Sequence, residues 1–87
     1  MGKYYLRGLE GKPPEFDSIV DARAEAYRTL MTMPVKTVFI MDTYGRHQIG
    51  FVQRYGGKIM MYIRPKYYGN PPARRYVNKN GTLGKEV

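Results

Sequence analysis

Arg46, Arg54, Lys58, Tyr62 and Arg64 fall at even positions of a stretch rich in Val, Ile, Phe and Met. In an extended chain alternate residues face the same way, so each run of these side chains would share one face. Cations beside an aromatic on an open sheet suit single-stranded nucleic acid: phosphates follow the charges and bases stack on rings. Gly50 in the middle of the stretch would leave room for a flat group. If the first strand joins the same sheet, Lys3, Tyr5 and Arg7 extend the face. Lys66, Arg74 and Arg75, with Tyr67, Tyr68 and Tyr76 among them, could continue it along a phosphate backbone. The ordinary alternative is structural. Any sheet covered on one side needs a polar outer face, and long Lys, Arg and Tyr side chains are common there.

The charge distribution favours the functional reading. The formal net charge is +8. Residues 1–35 carry five basic and five acidic side chains, whereas residues 36–87 carry ten basic ones against Asp42 and Glu86. The whole excess therefore belongs to the second part of the chain. Such asymmetry points to a polyanionic partner, because each neutralised phosphate releases counterions.

Other chemistries find little in the sequence. With no Cys there is no disulfide, thiolate nucleophile or Cys-based zinc site, and a lone His47 cannot build a multi-histidine metal site. His47 has Asp42 nearby across a turn, but no Ser or Cys nucleophile stands at a recognisable spacing. Gly56-Gly57 joins two apolar runs rather than opening a helix, so it is not a phosphate-cradling loop. No enzymatic activity, cofactor or metal is expected. No apolar stretch approaches the roughly 18 residues that span a bilayer, and the N-terminus lacks a signal-peptide core, so a cytoplasmic location is expected.

The elements that must position the basic face are readable from periodicity. The stretch from Lys36 to Arg64 holds three β-rich runs separated by Tyr44-Gly45 and Tyr55-Gly56-Gly57, the pattern of an antiparallel three-stranded meander. In its first run both faces are apolar. In the second, His47, Ile49, Phe51 and Gln53 are expected to face inward, with Arg46, Gln48, Gly50, Val52 and Arg54 outward. In the third, Ile59, Met61 and Ile63 face inward, and Lys58, Met60, Tyr62 and Arg64 outward. An earlier run, Lys3 to Leu9, reads as a strand with Tyr4 and Leu6 inward, pairing with a meander edge.

Between them lies a helix. Ser18 with Asp21 resembles a capping box, with Asp17 an equally good N-cap, and Pro34 stops the helix at Met33. Ile19, Ala22, Ala26, Leu30 and Met33 make one apolar stripe, widened by Val20, Tyr27 and Met31. Asp21, Arg23, Glu25, Arg28 and Thr32 are assigned to the wet side.

The fold expected is α+β, in the order β-α-β-β-β: one helix packed on an antiparallel sheet. Residues 1–65 form this domain, and residues 66–87 a basic, Pro-, Gly- and Tyr-containing C-terminal arm, partly disordered. Arg75 to Asn78 could add a short edge strand before a turn at Asn80-Gly81. The expected function is a small non-enzymatic nucleic-acid-binding accessory module for RNA or single-stranded DNA. Its site would comprise Arg46, Arg54, Lys58, Tyr62, Arg64, Arg7, Tyr5, Lys66, Arg74 and Arg75. The alternative is a protein-binding inhibitor or adaptor that docks on an acidic surface of a larger complex, using the same basic face with Tyr44, Tyr55 and the arm. Self-association through a sheet edge is a third possibility.

Overall fold

The computed structural model describes residues 2–44, 46–64 and 73–87, the side chain of residue 73 excepted. They form one helix packed on a seven-stranded antiparallel sheet, an α+β fold. In chain order the elements are β1 (Tyr4–Arg7), β2 (Glu15–Phe16), α1 (Ile19–Thr32), β3 (Thr37–Asp42), β4 (Gln48–Tyr55), β5 (Lys58–Ile63), β6 (Ala73–Val77) and β7 (Leu83–Glu86). The sheet order is β2-β1-β3-β4-β5-β6-β7. From β3 onward it is a plain meander, and α1 carries the chain from the β2 edge back across β1 to β3. The first strand pairs with the meander edge β3, as the sequence suggests.

The helix forms where its caps and stripe require. Ser18 is extended, and its hydroxyl accepts the Val20 N–H at 3.1 Å. Ala22, Ala26 and Leu30 are fully buried, and the two alanines let the helix lie close to the sheet. Against them pack Leu6, Val38, Ile40, Val52, Ile59, Met61 and Ile63. The β4–β5 connection is a tight hairpin in which Gly56 and Gly57 both have positive φ, 57° and 79°, as a type I′ turn demands.

Four sequence expectations are corrected. Residues 73–77 and 83–86, assigned to the arm with only a short edge strand at Arg75 to Asn78, are both strands of the sheet: β6 pairs with β5 and is an inner strand, and β7 pairs with β6. Asn80-Gly81 does make the turn between them, with the Gly81 N–H donating to the Asn78 carbonyl at 2.9 Å. The rest of the arm, with Lys66, Tyr67 and Tyr68, lies outside the described residues.

Arg23, assigned to the wet side of the helix, is buried. Its Nε donates to the Gly81 carbonyl at 2.7 Å, which ties the β6–β7 turn to the helix. Burial lowers its pKa, with the Tyr4 phenol acting in the opposite direction. Met31 and Met33, read as apolar stripe, are 56% and 50% exposed. Met31 follows buried Leu30 by one residue and so turns to the outer side of the helix beside Ala24, Glu25 and Arg28, and Met33 is the extended C-cap residue.

The fourth correction concerns β4. Ile40 pairs with Gly50 but Met41 pairs with Gln48, so Ile49 is an extra residue on β4. This is a β-bulge, and it shifts the alternation by one from Gly50 onward. Gln48 faces outward and Ile49 inward, as expected. After the bulge Gly50, Val52 and Arg54 take the helix side, and Phe51 and Gln53 take the open side. The pairing of Val52 with Val38 and Met61, all buried in the core, fixes that assignment.

Candidate functional site

The face of the sheet opposite the helix is built from four transverse rows. The longest runs across five strands through the register partners Arg7, Phe39, Phe51, Tyr62 and Arg74. Four strand spacings make it about 19 Å long. Its rings touch in sequence. Phe39 meets Phe51 edge-on with centroids 6.3 Å apart, and Phe51 stacks on Tyr62 at 5.3 Å and 19°. The Arg7 guanidinium sits over the Phe39 ring, 5.2 Å from its centroid. Arg74 stands opposite Tyr62 at the other end. The row is thus three aromatic rings bounded by a cation at each end.

Its neighbours continue the character. On one side Thr37, Gln53, Met60 and Tyr76 align, with Gln53 Nε2 donating to Thr37 Oγ1 at 2.9 Å. Beyond them Tyr55 pairs with Lys58, whose ammonium lies 5.0 Å from the Tyr76 ring centroid. On the other side Tyr5, Met41 and Gln48 align, and Arg64 Nη1 donates to the Gln48 carbonyl at 3.2 Å. Arg7, Lys58, Arg64 and Arg74 are exposed and make no ion pair among the described residues. Among the described strand residues, register places one carboxylate on this face, Glu15 at its far edge opposite Tyr5. The ion pair between Arg28 and Glu25 belongs to the opposite, helical layer.

The ten residues expected to form the site divide accordingly. Arg7, Tyr5, Lys58, Tyr62, Arg64 and Arg74 come together on or around the open face. Arg46 lies on the exposed turn before β4 in a left-handed conformation, φ 54°. Arg54 leaves the set: its register partner is buried Ile59, and its guanidinium donates to the carbonyl of Leu30 at the helix end. Arg75 leaves it too, because it shares the face of Met61, and its Nε donates to the Gly84 carbonyl at 2.8 Å. Lys66 falls outside the described residues.

The residues missed were Phe39 and Phe51. Phe39 was legible as the outward apolar side of a strand greasy on both faces. Phe51 needed the bulge, and its signal was Gly50: an isolated Gly within a strand marks a bulge or a close backbone approach. A Cβ at Gly50 would overlap the Tyr62 carbonyl oxygen and lie 3.1 Å from the Met61 methyl.

Asp42 and His47 do not form an acid–base pair in this geometry. The Asp42 carboxylate accepts the Tyr44 N–H at 2.8 Å, and the two residues meet through their backbones. Among the described residues no cluster of three or more His, Asp or Glu could hold a metal, and no helix is long and apolar enough to cross a membrane. No protein-family model, curated protein or solved structure matches the chain.

Proposed function

We propose that the open sheet face binds single-stranded nucleic acid, with the protein acting as a non-enzymatic accessory module. The observation that carries this reading is the row Arg7–Phe39–Phe51–Tyr62–Arg74, an aromatic strip with a guanidinium at each end. Phe51 and Tyr62 occupy each other's faces, so bases stack at the ends of the row, where ring and guanidinium alternate. Tyr5 and Tyr76 add rings to either side. Phosphates then pass over Lys58, Arg64, Arg7 and Arg74, with Arg46 at the margin. A duplex would present its phosphates but not its base faces, so single strands are preferred.

The rival reading, a protein adaptor docking on an acidic surface, uses the same basic face and the arm, with Tyr44 and Tyr55 added. Tyr44 precedes β4 and Tyr55 ends it, so these two tyrosines lie at opposite ends of that strand, whereas the rings of the row are adjacent.

The test is a titration of fluorescent oligo-dT, oligo-U and a hairpin duplex with the protein by anisotropy. Five cations at roughly −0.7 per phosphate contact on single strands predict a loss on the order of 100-fold between about 50 and 200 mM salt. Tyr62→Ala is expected to weaken single-strand binding by about tenfold at constant salt, the effect of one lost stacking partner. Equal affinity for single strands and duplex, or no effect of Tyr62→Ala, would overturn the proposal.

A further inference from the structure

At the end of the sheet where β5 begins and β6 ends lies an open cleft of about 420 Å³. Lys58, Lys79 and Lys85 converge on it from three different segments, with Tyr27 and Tyr76 on its walls. Among the described residues no carboxylate lines it. All three lysines are exposed, and none makes an ion pair among the described residues. Gly57 and Gly84 in the lining leave backbone within reach of a bound group.

The wall carrying Lys79 is held in place rather than left to adapt. The Asn78 side chain donates to Thr82 Oγ1 at 2.9 Å, and the Asn78 N–H donates to the Thr82 carbonyl at 2.8 Å. Buried Arg23 fastens Gly81 of the same turn to the helix. Gly81 itself has φ 92°, and a Cβ there would overlap the Val20 carbonyl oxygen, so the turn seats directly on α1. On the strand side, Arg75 holds the Gly84 carbonyl. A cationic cleft with a fixed frame binds a compact multiply charged anion with little ordering cost.

We infer that this cleft is a phosphate-binding site for a terminal phosphate or pyrophosphate group. Lys58 links it to the open face, because the same ammonium lies over Tyr76. In the fuller form, which rests on the function proposed above, the cleft receives the end phosphate of a strand lying on that face. The other source of the same chemistry is a free polyphosphate.

The experiment titrates wild-type protein and the Lys79→Gln/Lys85→Gln variant with inorganic pyrophosphate, following amide shifts by NMR, with sulfate as the background anion. Both lysines are exposed, so the variant is expected to keep the wild-type fold, checked by circular dichroism. Pyrophosphate should shift Lys79, Lys85 and Gly84 amides, and the variant should bind it at least about tenfold more weakly, as two charge-assisted contacts imply. A second arm compares oligonucleotides with and without a terminal phosphate. A gain of about tenfold in the wild type that vanishes in the variant assigns the cleft to a strand end. Pyrophosphate binding without that gain assigns it to free polyphosphate. Pyrophosphate shifts no larger than those of sulfate, together with no effect of the end phosphate, overturn the inference. Failure of the open-face reading is seen separately, as Tyr62→Ala leaving oligonucleotide affinity unchanged.

Discussion

The two faces of one sheet differ in kind. The helix side is aliphatic, with Leu6, Val38, Ile40, Val52, Ile59 and Met61 closed over by Ala22, Ala26 and Leu30. The open side is aromatic and cationic, and its rings are half-buried against one another rather than under another layer. Aliphatic side chains interlock at high density and leave no polar handle, which suits a core. Rings bounded by guanidinium groups keep exposed π surface beside charge, which suits recognition. The contrast teaches that stability and binding are carried by residues one position apart along the same strands.

The sharpest way to break that contrast is at the bulge which assigns β4 residues to their faces. Gly50→Val puts a branched side chain where even a Cβ overlaps the Tyr62 carbonyl oxygen. Backbone cannot yield as a flexible side-chain end can, so the expected loss is about 3 kcal/mol or more. Urea denaturation of the variant measures it. Wild-type stability in Gly50→Val would mean that β4 alternates without interruption, which would return Phe51 to the helix side.

The next test separates the faces directly. Ile40→Ala removes a fully buried side chain from the helix side and is expected to cost about 2–5 kcal/mol, cavity included. It leaves oligonucleotide affinity of the folded protein unchanged. Phe51→Ala on the open side is expected to cost less, about 1–2 kcal/mol, from a half-buried ring and its stack on Tyr62. It should weaken binding by less than Tyr62→Ala does, because it removes the ring that holds Tyr62 in place rather than one on which a base stacks. Denaturant curves paired with anisotropy titrations of the two variants check the pattern. Equal losses of both quantities in both variants would erase the distinction.

Much of this architecture is legible in the residues. Ser18 and Pro34 bound the helix, Gly56-Gly57 makes the hairpin, and the alternation in Tyr4 to Arg7 and Lys58 to Ile63 assigns their faces correctly. What failed has physical causes. Periodicity assumes an unbroken ladder, and a single extra residue at Ile49 inverts everything after it, Phe51 and Arg54 included. Arg23 reads as a wet-side cation because no local signal announces a carbonyl partner so distant in sequence, at Gly81. Residues 83–86 read as tail because LGKE has weak strand propensity; their strand comes from pairing with β6.

The smallest predicted effect bears on a residue that sequence parity assigns to one face and the register to the other. At the end of α1 the Met33 N–H satisfies the Thr29 carbonyl at 2.9 Å, the carbonyls after it have no partner within the helix, and its last turn carries no basic residue. Arg54 supplies the missing cation from β4 by donating to the Leu30 carbonyl. A cation at a helix C-terminus contributes about 0.3–1 kcal/mol at an exposed position, and salt reduces it. Arg54→Gln is therefore expected to lower Tm by about 2–6 °C in a domain of this size. The shift should shrink as salt is added, because screening removes the term from the wild type. Oligonucleotide affinity should stay within about twofold, since the guanidinium is engaged on the helix side and not over the rings. Arg7→Gln inverts the pattern, with little change in Tm and a clear loss of affinity, because its guanidinium lies exposed over Phe39. The pair is decisive because both changes remove one positive charge from the same molecule. If total charge governed binding, the two variants would lose affinity equally; if the open face governs it, Arg7→Gln alone does.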